Sequence, residues 1–370
     1  MFRITLVAGA RPNFMKIAPI IHAIQAHNQA AAKPIHFRLV HTGQHYDKKM
    51  SDAFFEQLRI PTPDANLGAG GGSQAEQTAA IMVAFERELL QNRPDVVLVV
   101  GDVTSTLACS IAAKKLVIDV VHVEGGIRSG DLSMPEEINR MVTDSISDHF
   151  FTTSEVANEN LRRLGFREEQ IHFVGNTMID TLLANQAQFR APEGAAFEAL
   201  EPKKYLVMTM HRPANVDQEE KLATFLQVIL DRTAPFTIVF PVHPRTARIL
   251  ANTGLVHERL LQCEPLGYLE FNYLVQHAAG VITDSGGITE EASVLRVPCM
   301  TLRDNTERPE TVTLGTNALV GTDPERLGPF LDRLMRGDWQ QGSDIPNWDG
   351  KAAERIIAKL LELYGKADSN

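Results

Sequence analysis

Short apolar runs alternate with segments of helical period along almost the whole chain, and the count starts over near its middle. In the first half the apolar runs are Arg3–Ala8, His36–His41, Val96–Val100, Asp119–Val123, His149–Thr152 and His172–Val174. Segments of helical period separate them near Phe14–Ala30, Asp47–Leu58, Gln74–Asn92, Thr104–Leu116, Glu136–Ser147 and Glu155–Leu164. A second set of runs follows at Tyr205–Met210, Phe236–Val242, Leu260–Cys263, Val281–Thr283, Cys299–Leu302 and Ala318–Val320. Helices are expected among these near Glu219–Asp231, Leu269–Ala279, Gly287–Leu295 and Glu325–Met335. This alternation is the mark of parallel βαβ units, so the chain reads as α/β with two Rossmann-like, doubly wound domains. The expected spans are 1–180 and 181–351, with Gln186–Lys204 as the connection. Sheets of this kind bind ligands outside the carboxyl ends of their strands, which is where the polar residues must be searched.

The bulk properties remove several functions. There are 370 residues, of which 44% are hydrophobic, enough for two buried cores. Asp and Glu number 46 against 36 Lys and Arg, a net charge of −10 that lacks the footprint of a nucleic-acid binder. An anionic ligand must then be held by local cations and backbone amides. Nowhere do about 18 apolar residues run together, the length that a membrane span needs. The first residues, Met1–Gly9, read at once as a strand and turn, too short for a signal segment, so a cytoplasmic protein is expected. Cys109, Cys263 and Cys299 lie far apart, match no zinc or redox spacing, and read as buried small residues. Gly68–Ser73 is Gly-rich, but follows no convincing strand and lacks the third glycine of a dinucleotide turn, so it reads as a mobile surface loop. No P-loop, serine-hydrolase elbow or zinc-protease motif occurs. No Asp-x-Asp clamp is present either, so neither a metal nor a redox cofactor is expected.

Polar clusters follow the runs. Gly9-Ala10-Arg11-Pro12-Asn13 comes after the first, with Lys16 one turn into the helix, and Thr42-Gly43-Gln44-His45 after the second. Gly101-Asp102 follows the third, and Glu124-Gly125-Gly126-Ile127-Arg128 the fourth, before Pro135-Glu136-Glu137-Ile138-Asn139-Arg140 opens a helix. Asp102 could simply cap a helix and Glu136 simply favour a helix start. Asp102, Glu124 and Glu136 together are harder to dismiss, because paired carboxylates are how general acids and bases are built. The second half supplies cations: His211-Arg212 and His243-Pro244-Arg245 end its first two strands. Its Asp284-Ser285-Gly286-Gly287 turn opens a helix whose amides and dipole suit a diphosphate, with Glu290 placed to chelate a ribose diol. Arg303–Glu310 reads as a charged loop able to close over a ligand. Carboxylates in one half and phosphate-binding groups in the other suggest a nucleotide-activated sugar as substrate.

Ten motifs in this order resemble the UDP-N-acetylglucosamine 2-epimerase family, of the bacterial non-hydrolysing type. They are Gly9-Ala10-Arg11-Pro12, Thr42-Gly43-Gln44-His45, Gly101-Asp102, Val123-Glu124-Gly125-Gly126-Ile127-Arg128, Pro135–Arg140, Gly175-Asn176-Thr177, His211-Arg212, Pro241–Pro244, Thr283–Gly287 and Arg303–Glu310. The resemblance implies a GT-B fold, two Rossmann-like domains facing a central cleft, with a C-terminal helix (352–370) crossing back to the first domain. It implies UDP-N-acetylglucosamine and UDP as partners, a homodimer, and reversible C2 epimerisation to UDP-N-acetylmannosamine through 2-acetamidoglucal. By the same resemblance Asp102, Glu124 and Glu136 are the acid/base carboxylates and His211 the histidine near the leaving group. Arg11, His243, Ser285, Gly286, Gly287 and Glu290 match UDP-binding positions, and Lys16, Arg140, Arg212 and Arg308 complete the expected substrate-binding set. Gln44 and His45 match contacts of an allosteric nucleotide sugar. Many members carry His-Arg-Arg-Glu-Asn where this chain has His211-Arg212-Pro213-Ala214-Asn215, and the loop between Gly130 and Pro135 is shorter than in the enterobacterial type. Two alternatives stay open: a UDP-2,3-diacetamido-glucuronic acid 2-epimerase, and a hydrolysing 2-epimerase that releases N-acetylmannosamine and UDP.

Overall fold

The computed structural model describes residues 2–30, 33–44, 55 and 57–365. The chain divides into two compact units, Met1–Thr181 with Pro346–Asn370, and Leu182–Ile345. The first is built on a parallel sheet of β1 (Phe2–Ala8), β2 (Ile35–His41), β3 (Ala65–Asn66), β4 (Val96–Val100), β5 (Asp119–Val123), β6 (His149–Thr152) and β7 (Ile171–Phe173). Their order across the sheet is β3-β2-β1-β4-β5-β6-β7. The second holds β8 (Tyr205–Thr209), β9 (Thr237–Pro241), β10 (Leu260–Cys263), β11 (Gly280–Thr283), β12 (Cys299–Thr301) and β13 (Asn317–Leu319). Its order, β10-β9-β8-β11-β12-β13, repeats the same winding. The order reverses beside β1 and β4 in one unit and beside β8 and β11 in the other, and there the turns splay apart to leave a binding crevice.

Burial explains why these strands sit where they do. Every residue of β4, Val96–Val100, is buried, as expected of a strand covered on both faces. Ile81, Phe85 and Leu89 of the helix Gln74–Gln91, with Ala108, Cys109, Ala112 and Ala113 of the helix Thr104–Lys115, cover one face. The second unit packs Leu206, Met208, Ile238 and Phe240 against Phe225, Leu226, Ile229 and Leu331. The last helix, Ala352–Tyr364, lies on the first unit. The Asp180 carboxylate accepts the N–H groups of Ala352 and Ala353 at 3.1 and 2.7 Å, satisfying donors that a helix start leaves open. The Trp348 indole donates to the Thr153 carbonyl at 2.9 Å, and Tyr364 stacks on Phe2.

Several local expectations change. The first helix spans Arg11–Ala30, three residues ahead of the expected start at Phe14. Asn13 accepts the Gly9 and Ala10 N–H groups at 3.1 and 3.0 Å there. Helices Pro213–Val216, Pro244–Asn252 and Pro309–Thr313 were not expected. Each opens on a proline, a helix breaker inside but a good fit at the first position, where no N–H is needed. Gly68–Ser73 is a loop as expected, and its last residue is tied to the next helix: Ser73 and Glu76 form a reciprocal cap on Gln74–Gln91. Cys109 and Cys299 are buried and Cys263 half-buried, all unpaired, and burial pushes the Cys299 thiol up to about 12. The expected helix Asp47–Leu58 falls largely outside the described residues.

One cluster near the amino ends of β6 and β7 makes stability depend on pH. His149 Nδ1 lies 3.3 Å from His172 Nε2, and both rings neighbour the last helix through Tyr364 and Lys359. Burial, then the His149 and Lys359 charges, push His172 down to about 4. Burial also lowers His149, although Asp148 and Asp119 oppose it. Both imidazoles therefore fold as neutral groups, while unfolded histidine titrates near ~6.5. The His172 contribution is complete above that value and is lost as pH falls from there toward 4, and the lowered His149 acts in the same direction. The melting temperature should drop between pH 7.5 and 5, and His172→Phe should flatten that slope in calorimetry. An unchanged slope would remove His172 from the account.

Candidate active site

In the first unit the switch-point turns bring cations onto carboxylates. Lys16, one turn into the helix that follows β1, reaches Glu124 beyond β5, Nζ to Oε2 2.8 Å, with both side chains largely buried. Gly101 makes room for it. At φ +67° it has a backbone that few side chains adopt, and a Cβ there would sit 2.9 Å from the Lys16 ammonium. Glu124 itself has φ +71°. A left-handed conformation in a non-glycine residue costs roughly 1–3 kcal/mol and persists where the surroundings force it, commonly at working sites. Asp102, just beyond β4, is not a helix cap: Val103 holds that place in the helix Thr104–Lys115. Its carboxylate instead accepts from Arg140 at 2.5 Å. Arg140 also donates to the buried Glu137 at 2.7 Å. Burial works against the Glu137 charge, but N–H groups of Ser129 and Gly130 and the Arg140 guanidinium hold it below the usual carboxylate range.

The helix Pro135–Ile146 organises this end of the sheet. Glu136, Arg140 and Asp144 recur every four residues and so share one helix face. Glu136 is half-buried in the first turn and makes no ion pair among the described residues. Asp144 is wholly buried and accepts from His122 at 2.7 Å and from Arg128 at 2.6 Å. Burial would raise its pKa, yet the His122 and Arg128 contacts keep it lowered. Gln44 lies in the turn after β2, where Oε1 accepts from the N–H and hydroxyl of Ser105 at 3.0 and 2.7 Å. His45 is outside the described residues, and Arg11 begins its helix with a side chain outside the description.

In the second unit a dyad stands at the end of β8. His211 Nδ1 lies 2.7 Å from Asp284 Oδ1; the imidazole is about half exposed and the carboxylate fully buried. The Asp284 carboxylate also accepts the N–H of Arg212 at 2.9 Å and the Asn215 amide at 3.2 Å. Against the penalty of burial, His211 and these donors hold Asp284 below its ordinary range. With Nδ1 bound to Asp284, Nε2 is the ring nitrogen left for a ligand. Arg212 Nε donates to the Asp284 carbonyl at 3.1 Å, and His243 is exposed just beyond β9. The helix Gly286–Val294 starts after Ser285, whose hydroxyl makes no cap bond. The first-turn amides of Gly286 and Gly287 therefore keep the anion-binding character of an uncapped helix start.

The Arg303–Glu310 segment differs from a simple charged loop. Arg303 is buried and held by both Glu307 oxygens at 2.7 Å, while Arg308 is buried and ion-paired with Glu290. The structure thus groups Lys16 with Glu124, Asp102 with Arg140, and, in the other unit, His211 with Arg212 and Glu290 with Arg308. His122 and Asp144 were not among the expected site residues, and Glu137 and Asp284 stood only inside motifs, with no role of their own. The four-residue spacing from Glu136 to Asp144 was available as a signal, whereas the partner of Asp284 comes from a strand far away in sequence.

Fold and strand-end chemistry define a two-domain α/β protein of the GT-B-like class. A family model described as UDP-N-acetylglucosamine 2-epimerase matches residues 27–361. A UDP-N-acetylglucosamine 2-epimerase of Methanocaldococcus jannaschii is 41% identical, over 98% of this chain and 100% of its own. A UDP-2,3-diacetamido-2,3-dideoxy-D-glucuronate 2-epimerase of Pseudomonas aeruginosa is 40% identical, with the same coverage of 98% and 100%. The crystal structure of the M. jannaschii enzyme in complex with UDP-GlcNAc and UDP superposes with a TM-score of 0.86 at 40% identity, covering 98% of this chain and 100% of that one. The chain belongs to the UDP-N-acetylglucosamine 2-epimerase family, which supports an epimerase activity. Among the described residues, no helix is long and apolar enough to cross a membrane.

Proposed function

We propose that the protein interconverts UDP-N-acetylglucosamine and UDP-N-acetylmannosamine, keeping UDP in the site throughout. The observation that carries this reading is the Glu124 carboxylate, buried in a left-handed backbone and bound to Lys16, just beyond the strand that pairs with the one before Asp102, itself held by Arg140. The C2 proton of an N-acetylhexosamine has no adjacent carbonyl, so direct removal is difficult. Departure of UDP with the C1–O electron pair builds positive charge at C1 and acidifies that proton. A carboxylate then takes it, and the C–H electrons form the C1–C2 double bond of 2-acetamidoglucal. Return of a proton to the opposite face of C2 while UDP re-adds at C1 gives the epimer. Carboxylates on two faces and a firm diphosphate site are the needs of this scheme.

Asp102, Glu124 and Glu136 would supply the acid/base groups. His211 Nε2 would meet the leaving phosphate, where a preoriented ring offsets the developing charge. The Gly286 and Gly287 amides with Ser285, Arg212, His243 and Arg11 would hold the diphosphate. Glu290 would bind the ribose diol, with Arg308 fixing its carboxylate; Lys16 and Arg140 hold the reacting carboxylates in charge and place. Gln44 and His45 would serve an activating second nucleotide sugar, and a homodimer in the cytoplasm is the expected working form.

The test is incubation with UDP-N-acetylglucosamine alone in heavy water. Deuterium at C2 of an intact nucleotide sugar supports the proposal. Stoichiometric UDP with free N-acetylmannosamine would replace it with a hydrolysing enzyme. Inertness toward this sugar, with exchange on the UDP-2,3-diacetamido-glucuronate, would transfer the reading to the substrate named for the Pseudomonas relative.

A further inference from the structure

Beneath the candidate carboxylates lies a polar cluster that the scheme above does not use. His122, on β5 two residues before Glu124, is fully buried, as is Asp144. Its Nε2 lies 2.7 Å from the carbonyl oxygen of Gly101, the residue before Asp102. Its Nδ1 lies 2.7 Å from Asp144 Oδ1. The other Asp144 oxygen accepts from the N–H of Gly126, two residues after Glu124, at 3.1 Å, and from Arg128. Gly126 can reach it because its φ is +82°, and a Cβ there would collide with the Ala157 carbonyl at 2.4 Å. A carbonyl and an ionised carboxylate are both acceptors, so a ring that satisfies both donates from each nitrogen.

We propose that His122 is a positioning residue: through Gly101 and Asp144 it fixes the three backbone segments that carry Asp102, Glu124 and Glu136 relative to one another. The inference rests on the acid/base reading of those carboxylates. Each connection is short in sequence. Gly101 adjoins Asp102, Gly126 lies two residues beyond Glu124, and Asp144 shares a helix face with Arg140, which grips Asp102, and with Glu136. Without the ring, the Gly101 carbonyl and the Asp144 carboxylate lose their common partner, and the β4 turn is freed from the helix Pro135–Ile146 at this point. Misplacement of a reacting group by about 1 Å costs on the order of 100-fold in rate. The cluster contains none of the residues proposed to hold UDP, so nucleotide affinity should not follow the loss.

The test compares His122→Phe, His122→Gln and Asp144→Asn with the wild-type chain, measuring kcat, KM, UDP affinity by calorimetry, and thermal melting. Phe keeps the ring volume and makes neither bond; kcat should fall about 100-fold, with KM and UDP affinity within about twofold. Gln can keep the Gly101 bond and should lose about tenfold, which preserves the test if the Phe variant does not fold. Asn at 144 can donate to a singly protonated ring and still accept from Gly126 and Arg128, so every bond survives and the loss should stay below about fivefold. Wild-type kcat in the Phe variant, or in the Gln variant should Phe not fold, overturns the proposal. So does a fall in UDP affinity that parallels kcat, or an equal loss in Phe and Asn variants. Failure of the wild-type protein itself to exchange any C2 proton would instead sink the reading on which the inference rests.

Discussion

Asp102→Asn should abolish deuterium exchange at C2 of UDP-N-acetylglucosamine, lowering the rate by about 10²–10⁴-fold while UDP affinity changes by less than about threefold. An amide neither takes the C2 proton nor returns one, so the loss falls on the chemical step rather than on binding. The fold should survive, because Arg140 keeps its second partner, Glu137, at 2.7 Å. Removing one partner from a buried pair is severe, about 3–5 kcal/mol, chiefly when the remaining charge is orphaned, and here it is not. Glu136→Gln should behave alike, and with less structural effect, since Glu136 makes no ion pair among the described residues. Exchange measured by mass spectrometry beside UDP titration separates the outcomes. If UDP affinity collapses in Asp102→Asn, Asp102 belongs to nucleotide binding and the division of labour proposed for the two units is wrong.

The winding of both sheets was legible because it is written in burial. The strand β4, covered on both faces, is apolar throughout, so Val96–Val100 declares itself. The two-residue β3 and the short helices at Pro213, Pro244 and Pro309 were not legible, since the first has too few residues for a period and the others begin with a residue that elsewhere ends helices. Asp102, Glu124 and Glu136 could be marked as candidates because strand ends and helix starts are where this winding exposes side chains. Their partners could not be assigned from sequence. That Lys16 meets Glu124, or His122 spans Gly101 and Asp144, depends on which strands are neighbours and on left-handed turns at Gly101 and Glu124. The charge balance shows the same limit. Arg303 and Arg308, read as cations of an open loop, are buried against Glu307 and Glu290. The anion-binding role proposed for the second unit thus rests on helix amides and on the residues after β8 and β9.

The second large effect is expected at Asp284. Asp284→Asn preserves the size of a side chain that accepts from His211, Arg212 and Asn215, so the turn after β8 should keep its shape. What changes is the histidine. A carboxylate can only accept, which fixes the proton on Nδ1 and leaves Nε2 toward the ligand. An amide can present its NH₂ to Nδ1 and turn the imidazole into the opposite, neutral tautomer, with the proton on Nε2. The ring then lacks the carboxylate that holds its tautomer and offsets any positive charge it takes up as the C1–O bond breaks. The rate of C2 exchange should fall by about 10²–10³-fold. His211→Gln should match that loss, and the double variant should add little to either, because the two side chains act as one unit. Additive losses would mean that Asp284 serves the turn independently of His211. An Asp284→Asn rate near wild type would show that the leaving diphosphate is stabilised by the helix amides and arginines alone.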